Sequence, residues 1–129
     1  MSTLLIKNAR YIVSCDDTDR LYERSGLFLR DPAIGYIGPV LGQADQVIDA
    51  SRMVVYPGLI NTHHHLYQLF SRNLPEVQRM ELFPWLVTLY DVWKNLDEEV
   101  VATSSLVGMA ELLKTGCTTC FDHHYVFPA

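Results

Sequence analysis

The sequence has little positive charge and no long hydrophobic run. Ten Lys and Arg stand against fifteen Asp and Glu, a net charge of -5, and no basic cluster occurs. These features argue against a nucleic-acid-binding surface. The apolar runs are far shorter than a bilayer requires, and the opening Leu4-Leu5-Ile6 is too short for a signal-peptide core. We therefore expect neither a nucleic-acid partner nor a membrane.

Cysteine is also scarce. Three cysteines, an odd number, do not suggest a disulfide framework, and free thiols fit a reducing compartment, so we expect a cytoplasmic protein. Cys117 and Cys120 have the CxxC spacing of redox and zinc sites. On a strand, however, side chains at i and i+3 point to opposite faces. The two thiols are therefore predicted to be ordinary core residues.

The first 57 of the 129 residues consist of short, β-branched and aromatic runs separated by turn residues. This pattern is typical of an all-β region. We predict strands over residues 3–14, 26–30, 34–37, 46–49 and 53–56, with a polar connection over residues 15–25. Residues 1–57 are accordingly expected to form one β-rich domain.

The periodicity changes after residue 58. Helical spacing predicts helices over 66–73 and 85–94, and a third that begins at an N-cap, Asp97, and ends near Lys114 and Gly116. The third is expected to pack on a sheet through Ala102, Leu106, Met109, Ala110 and Leu113. A buried strand is predicted over 117–122. Strand, helices, strand is the βα repeat of a parallel sheet, so the fold class is α/β.

The strand that opens this second region is followed by three consecutive histidines, in Pro57-Gly58-Leu59-Ile60-Asn61-Thr62-His63-His64-His65. Side chains at i and i+2 of a strand share a face, so His63 and His65 point the same way and His64 points oppositely. Two neutral imidazoles on one face can converge on one divalent cation. The spacing alone leaves open a metal site and a surface loop of histidines without a ligand role.

Three further side chains are candidates for contacts with a small molecule. His123 and His124 follow the second predicted parallel strand, where barrel enzymes place functional groups. Alternation lets only one of them face a pocket, and the sequence does not fix which. Gln68 lies one helical turn after the histidines and could reach a carbonyl or a ring nitrogen of a substrate. Equally, the histidines could be hydrogen-bonded in a loop and the glutamine could be solvated.

The chain resembles the amidohydrolase superfamily at these motifs. The Pro-Gly-Leu-Ile-Asn-Thr-His-His-His run is similar to the signature of that superfamily's first barrel strand, and residues 111–119 resemble its helix into strand two. Residues 64–68 and 122–125 most resemble the branch that contains 8-oxoguanine deaminase and triazine hydrolases such as hydroxyatrazine aminohydrolase. Essentially the whole chain takes part in the resemblance.

The resemblance implies a (β/α)8 TIM barrel. Residues 58–129 would hold its first two strands and first βα units, and residues 1–57 the amino-terminal part of a small β-sandwich domain. His63 and His65 would bind one divalent metal, zinc or in some members iron. The other metal ligands, the general base and the general acid would lie beyond Ala129. The chain is thus expected to be an amino-terminal fragment that is inactive alone.

The implied reaction of the full-length parent is hydrolytic deamination of an aminated N-heterocycle by a metal-activated water. Its partners would be water and a small heterocyclic substrate, namely 8-oxoguanine, a guanine-like purine or an aminotriazine, and the parent would be a homo-oligomer. Two alternatives within the superfamily are a triazine chlorohydrolase and a cyclic-amide hydrolase. An alternative outside the enzymes is a non-catalytic metal-binding module.

Overall fold

The structure is a computed structural model that describes residues 2–39 and 42–128. The prediction that the chain is a fragment ending at Ala129 falls on a residue outside these ranges. The fold is mixed α/β, as predicted, and the chain divides into two compact units, Met1–Pro57 and Gly58–Ala129. Within the described residues, we find no helix whose length and apolar character would let it span a membrane.

The first unit is a five-stranded sheet. Its strands are β1 (Thr3–Val13), β2 (Leu21–Arg30), β3 (Ala33–Gly38), β4 (Gln46–Asp49) and β5 (Val54–Val55). The order is β3-β2-β1-β4, and β5 pairs with the far end of β1. β2 is antiparallel to β1 and to β3, whereas β4 and β5 run parallel to β1. The core consists of small and aliphatic side chains from two of these strands and a turn: Ala9, Ile12, Leu27 and Ala50.

Two local features of this sheet differ from a simple hairpin pattern. β1 has a bulge between Ile6 and Ala9, where Asn8 adopts a left-handed φ of 59° that asparagine tolerates better than most residues. β2 begins at Leu21, so the predicted polar connection over 15–25 was too long. Most of residues 21–25 are exposed, so their sequence shows no apolar alternation that would predict a strand. They nevertheless pair with β1, as far as the pair Val13–Leu21.

The second unit contains two parallel strands joined by helices. β6 (Leu59–His64) is followed by 3₁₀ helices at Leu66–Ser71 and Pro75–Val77, then α1 (Leu82–Trp93), α2 (Glu98–Lys114) and β7 (Cys117–Asp122). β6 and β7 pair in parallel from Leu59–Cys117 to His64–Asp122. A Cβ atom at Gly58 would collide with the side chain of Thr118. Glycine at this position therefore lets the two strands lie side by side.

The helices begin and end differently from the sequence-based prediction. The segment after the histidines is a 3₁₀ helix that ends at Ser71, rather than a helix over 66–73. α1 begins at Leu82 and includes Pro84, because a proline in the first turn costs no intrahelical hydrogen bond. The core of the unit is formed by Tyr67, Val77, Leu89 and Trp93.

α2 begins as predicted but buries a different face. The Asp97 carboxylate accepts a hydrogen bond from the Val100 backbone N–H at 2.8 Å, so Asp97 is the N-cap. The five apolar residues expected to pack on a sheet, Ala102, Leu106, Met109, Ala110 and Leu113, are exposed within the described residues. The buried positions are Ser104 and Gly108, whose small side chains let the helix approach Leu66 closely. The prediction failed because it followed hydrophobicity rather than size.

The two parallel strands were also expected to be buried. Within the described residues Leu59, Ile60 and Phe121 are instead exposed, because β6 and β7 have only each other as sheet neighbours. The cysteines of β7 are free thiols; Cys117 is buried and Cys120 half-buried.

Candidate metal centre

The carboxyl end of β6 brings two imidazoles together. The Nε2 atoms of His63 and His65 lie 3.1 Å apart, and the ring centroids are 5.0 Å apart. This confirms that the two side chains share a face of the strand, as the alternation predicts. At such a separation two imidazole nitrogens either share a proton or direct their lone pairs at one cation.

The tautomer of His65 is fixed by the neighbouring strand. Its Nδ1 lies 2.6 Å from the backbone carbonyl oxygen of His123. Because a carbonyl oxygen can only accept, Nδ1 must carry the proton and donate it. In the neutral ring, Nε2 is then left with a free lone pair on the side of His63. This is the arrangement in which metal-binding histidines are usually held.

The pair therefore fits a divalent metal. Two nitrogens bound tetrahedrally at the usual zinc–nitrogen distance are about 3.3 Å apart, close to the observed separation. Among residues 2–39 and 42–128, no group of three or more His, Cys, Asp or Glu side chains is placed to hold a metal ion. The described residues thus supply two converging nitrogens and no third ligand.

His64 lies on the opposite side of the strand, as predicted. Among the described residues, its ring takes no part in the contacts that join the His63, His65 and His123 rings. Its Nδ1 atom is buried and has no hydrogen-bond partner in the described part of the chain. His64 is therefore not a member of the converging pair.

The two histidines after β7 occupy different surroundings. The His123 ring stacks on His63, with centroids 4.2 Å apart and planes 29° apart, and lies 5.6 Å from the His65 ring. His124 instead contacts the edge of Tyr67 at a centroid distance of 5.2 Å. The structure thus places His123, and not His124, against the converging pair, which the sequence could not decide.

Gln68 is joined to His65 through its backbone, whose N–H donates to the His65 carbonyl oxygen at 3.1 Å, whereas its side chain bonds to Tyr67. Its side-chain Nε2 donates to the Tyr67 hydroxyl at 3.0 Å, and Gln68 lines a small cavity of about 150 Å³ together with Ser71 and Trp85. The Tyr67 side chain is buried, and burial raises the pKa of its phenol. The Tyr67 ring lies between His65, at 6.2 Å, and His124, so it links the two histidine environments.

One site residue was not singled out from the sequence. Asp122, the last residue of β7, accepts a hydrogen bond from the Leu66 backbone N–H at 2.8 Å through Oδ1. Its Oδ2 accepts from His124 Nδ1 at 3.2 Å. The sequence does show an acidic residue at a strand end, next to two histidines. It does not show that Asp122 bonds to Leu66, which lies 56 positions earlier.

These features have a counterpart among known proteins. Residues 54–128 match the sequence profile of the Amidohydrolase family, and this range includes the converging pair, the helices and β7. The match extends over more than half of the chain. The chain belongs to the amidohydrolase family, which confirms the resemblance in its motifs.

Individual relatives match almost the whole chain. It is 44% identical to an 8-oxoguanine deaminase from Pseudomonas aeruginosa, over 99% of this chain and 29% of that protein. It is 36% identical to a hydroxydechloroatrazine ethylaminohydrolase from Pseudomonas sp. (strain ADP), over 97% of this chain and 29% of that protein. The chain thus spans less than a third of the length of the curated relatives it matches.

A solved structure agrees with the fold. An atrazine chlorohydrolase from Arthrobacter aurescens TC1, complexed with zinc, superposes with a TM-score of 0.88 at 28% identity. The superposition covers 98% of this chain and 30% of the chlorohydrolase chain. The two units of this chain therefore have the local folds found in a zinc-binding hydrolase.

Proposed function

We propose that this chain carries the first two metal ligands of a hydrolase that deaminates an aminated N-heterocycle. The observation that carries the proposal is the convergence of His63 and His65 at 3.1 Å, with the His65 tautomer set by the carbonyl of His123. Membership of the amidohydrolase family supports it. Zinc is the metal we propose, with iron as the alternative, because zinc accepts neutral imidazole readily and a related chlorohydrolase holds it.

The metal, when bound, supplies a water whose pKa is lowered enough for it to attack the carbon bearing the exocyclic amine. The chain's own residues keep the ligands in place. The His123 carbonyl holds the proton of His65 on Nδ1, so that Nε2 stays available. The His123 ring covers one face of His63 and restricts the rotation of that ring.

The proposed substrates are 8-oxoguanine, a guanine-like purine or an aminotriazine. Support comes from the two curated relatives, an 8-oxoguanine deaminase and a hydroxydechloroatrazine ethylaminohydrolase. Such rings carry hydrogen-bond donors next to acceptors, which an amide or an imidazole can match with its own donor and acceptor. We propose Gln68, His123 and His124 as the substrate-contacting residues of this chain, on the basis of their positions around His65 and Tyr67.

The remaining parts of the site are proposed to lie on further barrel strands. The described residues provide two converging ligands, and the chain covers 29% of its deaminase relative. We propose that residues 58–129 form the first βα units of a (β/α)8 barrel and that residues 1–57 contribute to a small β-sandwich. The general base and acid would come from outside these residues, so the 129-residue chain alone would be inactive. We further propose a cytoplasmic, homo-oligomeric parent enzyme.

A second candidate reaction is hydrolytic dechlorination of a triazine. The likeness to an atrazine chlorohydrolase structure favours it over cyclic-amide hydrolysis and over a non-catalytic metal-binding module. Deamination and dechlorination share an attack of water on a ring carbon and differ in the leaving group, which is ammonia or an alkylamine in the first reaction and chloride in the second. They can therefore be told apart by the product released.

The experiment is a substrate panel with the natural gene product that contains this chain. Purified zinc-loaded protein is incubated with 8-oxoguanine, guanine, a triazine with an unsubstituted amino group and a chlorotriazine, and ammonia and chloride are measured separately. We expect ammonia from at least one aminated ring, loss of activity after chelation, and recovery after zinc is restored. Chloride release alone would favour the second candidate, and activity that resists complete metal removal would contradict the proposal.

The isolated 129-residue chain is the matched control. Loaded with zinc under the same conditions, it is expected to release no ammonia. Zinc-dependent ammonia release by the isolated chain would contradict the proposal that the base and acid lie outside it.

A further inference from the structure

We propose that Asp122 is a positioning residue for the histidine pair, holding the backbone that follows His65 so that the His63 and His65 imidazoles converge. This inference rests on the proposed function, in which those two side chains bind the metal. The hydrogen bonds of Asp122 in the described residues go to Leu66 and His124, and to neither imidazole of the pair.

The Asp122 carboxylate lies between two elements and bonds with both of its oxygens. Oδ1 accepts from the Leu66 backbone N–H at 2.8 Å, and Oδ2 accepts from His124 Nδ1 at 3.2 Å. Its side chain is 24% exposed, so these bonds are partly shielded from water. A shielded carboxylate with both oxygens bonded is held in one orientation.

The bond to Leu66 supplies a missing helix cap. The 3₁₀ helix Leu66–Ser71 has His65 at its N-cap position, and the His65 side chain makes no capping hydrogen bond. The first N–H groups of a helix lack intrahelical partners and need an acceptor. Asp122 provides that acceptor from a different strand, so the helix start is fixed relative to β7.

The last residue of β6 and the two residues after it are thereby bonded to the last residue of β7 and the residue after it. The His64 carbonyl accepts from the His123 N–H at 2.7 Å, and His65 Nδ1 donates to the His123 carbonyl at 2.6 Å. Asp122 holds Leu66. Of these contacts, only the one through Asp122 uses a side chain of β7, so it can be removed by substitution without altering the backbone.

Two substitutions distinguish the capping hydrogen bond of Asp122 from its negative charge. Asp122→Ala removes both hydrogen bonds. Asp122→Asn keeps an oxygen for the Leu66 N–H, and its amide NH₂ can donate to His124 once that ring takes its other neutral tautomer. If the cap is what matters, the asparagine variant behaves like the wild type and the alanine variant does not.

The matched control is Asp97→Ala. Asp97 caps α2 through the Val100 N–H at the same distance of 2.8 Å, and it belongs to none of the contacts around the histidines. The stability that the Asp97→Ala variant loses measures the general cost of removing an aspartate cap. The Asp97 variant is expected to lose stability and to keep its zinc affinity.

The readouts are zinc affinity, by competition titration, and the His65 tautomer, by ¹H–¹⁵N NMR of the metal-free protein. We expect Asp122→Ala to weaken zinc binding by about 10- to 100-fold, the range seen when groups that orient metal ligands are removed. We also expect the His65 ring to change from Nδ1–H to a mixture of tautomers. Asp122→Asn should preserve both properties.

Unchanged zinc affinity in Asp122→Ala, or an equal loss in Asp97→Ala, would overturn the proposal. If the wild type binds no zinc, the proposed function fails instead. In that case the NMR measurement of the His65 tautomer still tests the role of Asp122. An unchanged Nδ1–H tautomer in Asp122→Ala would overturn that role, and a mixture of tautomers would support it.

Discussion

The Ser104 hydroxyl donates a 2.6 Å hydrogen bond to the backbone carbonyl of Leu66, 38 residues earlier in the chain. Ser104 is completely buried in α2, and Leu66 opens the 3₁₀ helix directly after the histidines. The N–H of the same residue donates to Asp122. Both backbone groups of Leu66 are therefore bonded to side chains from other elements, which fixes the segment next to the candidate metal centre.

The first prediction concerns this hydroxyl. Ser104→Ala should lower the free energy of unfolding by about 0.5–1.5 kcal/mol, because it removes a hydrogen bond between a fully buried hydroxyl and a backbone carbonyl. Urea denaturation measures the change. Ser105→Ala, at a half-buried position of the same helix, gives the baseline for exchanging serine for alanine. Equal stability losses in the two variants would contradict a special role for Ser104.

The second prediction concerns the contact between β6 and β7. Gly58→Ala should destabilise the chain by about 1–3 kcal/mol, the usual cost of overpacking, because the added methyl group collides with Thr118. Adding Thr118→Ala to this variant removes two of the three atoms in collision and should recover part of the loss. Additive losses in the double variant, in urea denaturation, would show that the collision is not the cause.

The third prediction concerns pH. Arg72 donates to both oxygens of Glu111 at 2.9 and 3.2 Å, and this pairing lowers the pKa of Glu111 from its ordinary value of 4.5. A carboxyl group with a lowered folded-state pKa contributes stability above its unfolded pKa and loses it as pH falls through the folded value. Arg72→Met should therefore be slightly less stable than wild type at pH 7. The difference should shrink as the pH falls below 4.5 and vanish below the lowered folded-state pKa of Glu111.

The effect should be small because both side chains are about half exposed, at 55% and 48%. Urea denaturation at pH 7 and at acidic pH measures it. The control is the same substitution in a Glu111→Gln background, where no pH-dependent difference should remain. A difference that persists there would assign the effect to packing of the Arg72 chain.

Strand alternation was sufficient to place His63 and His65 on one side of β6 and His64 on the other. Local signals also located the α2 cap at Asp97 and the bounds of β7. The metal-binding role of the pair stays a prediction, as do the substrate contacts of Gln68, His123 and His124.

What sequence reasoning missed depends on contacts between distant residues. The packed face of α2 is set by the small size of Ser104 and Gly108 against Leu66, which a search for apolar periodicity cannot find. The separation of His123 from His124 depends on how the chain leaves β7, since one ring stacks on His63 and the other turns toward Tyr67. The capping role of Asp122 required knowing where Leu66 lies.

The fourth prediction is that His63 and His65 bind the metal together. Zinc affinity is measured by competition titration for the wild type and for His63→Ala, His65→Ala and His64→Ala. We predict that each of the first two substitutions weakens zinc binding by about 100-fold or more, above the range for groups that only orient ligands. His64→Ala, from the same run but the opposite face of β6, should bind zinc like the wild type. Equal affinities in all three variants, or a loss confined to His64→Ala, would show that His63 and His65 do not bind the metal together.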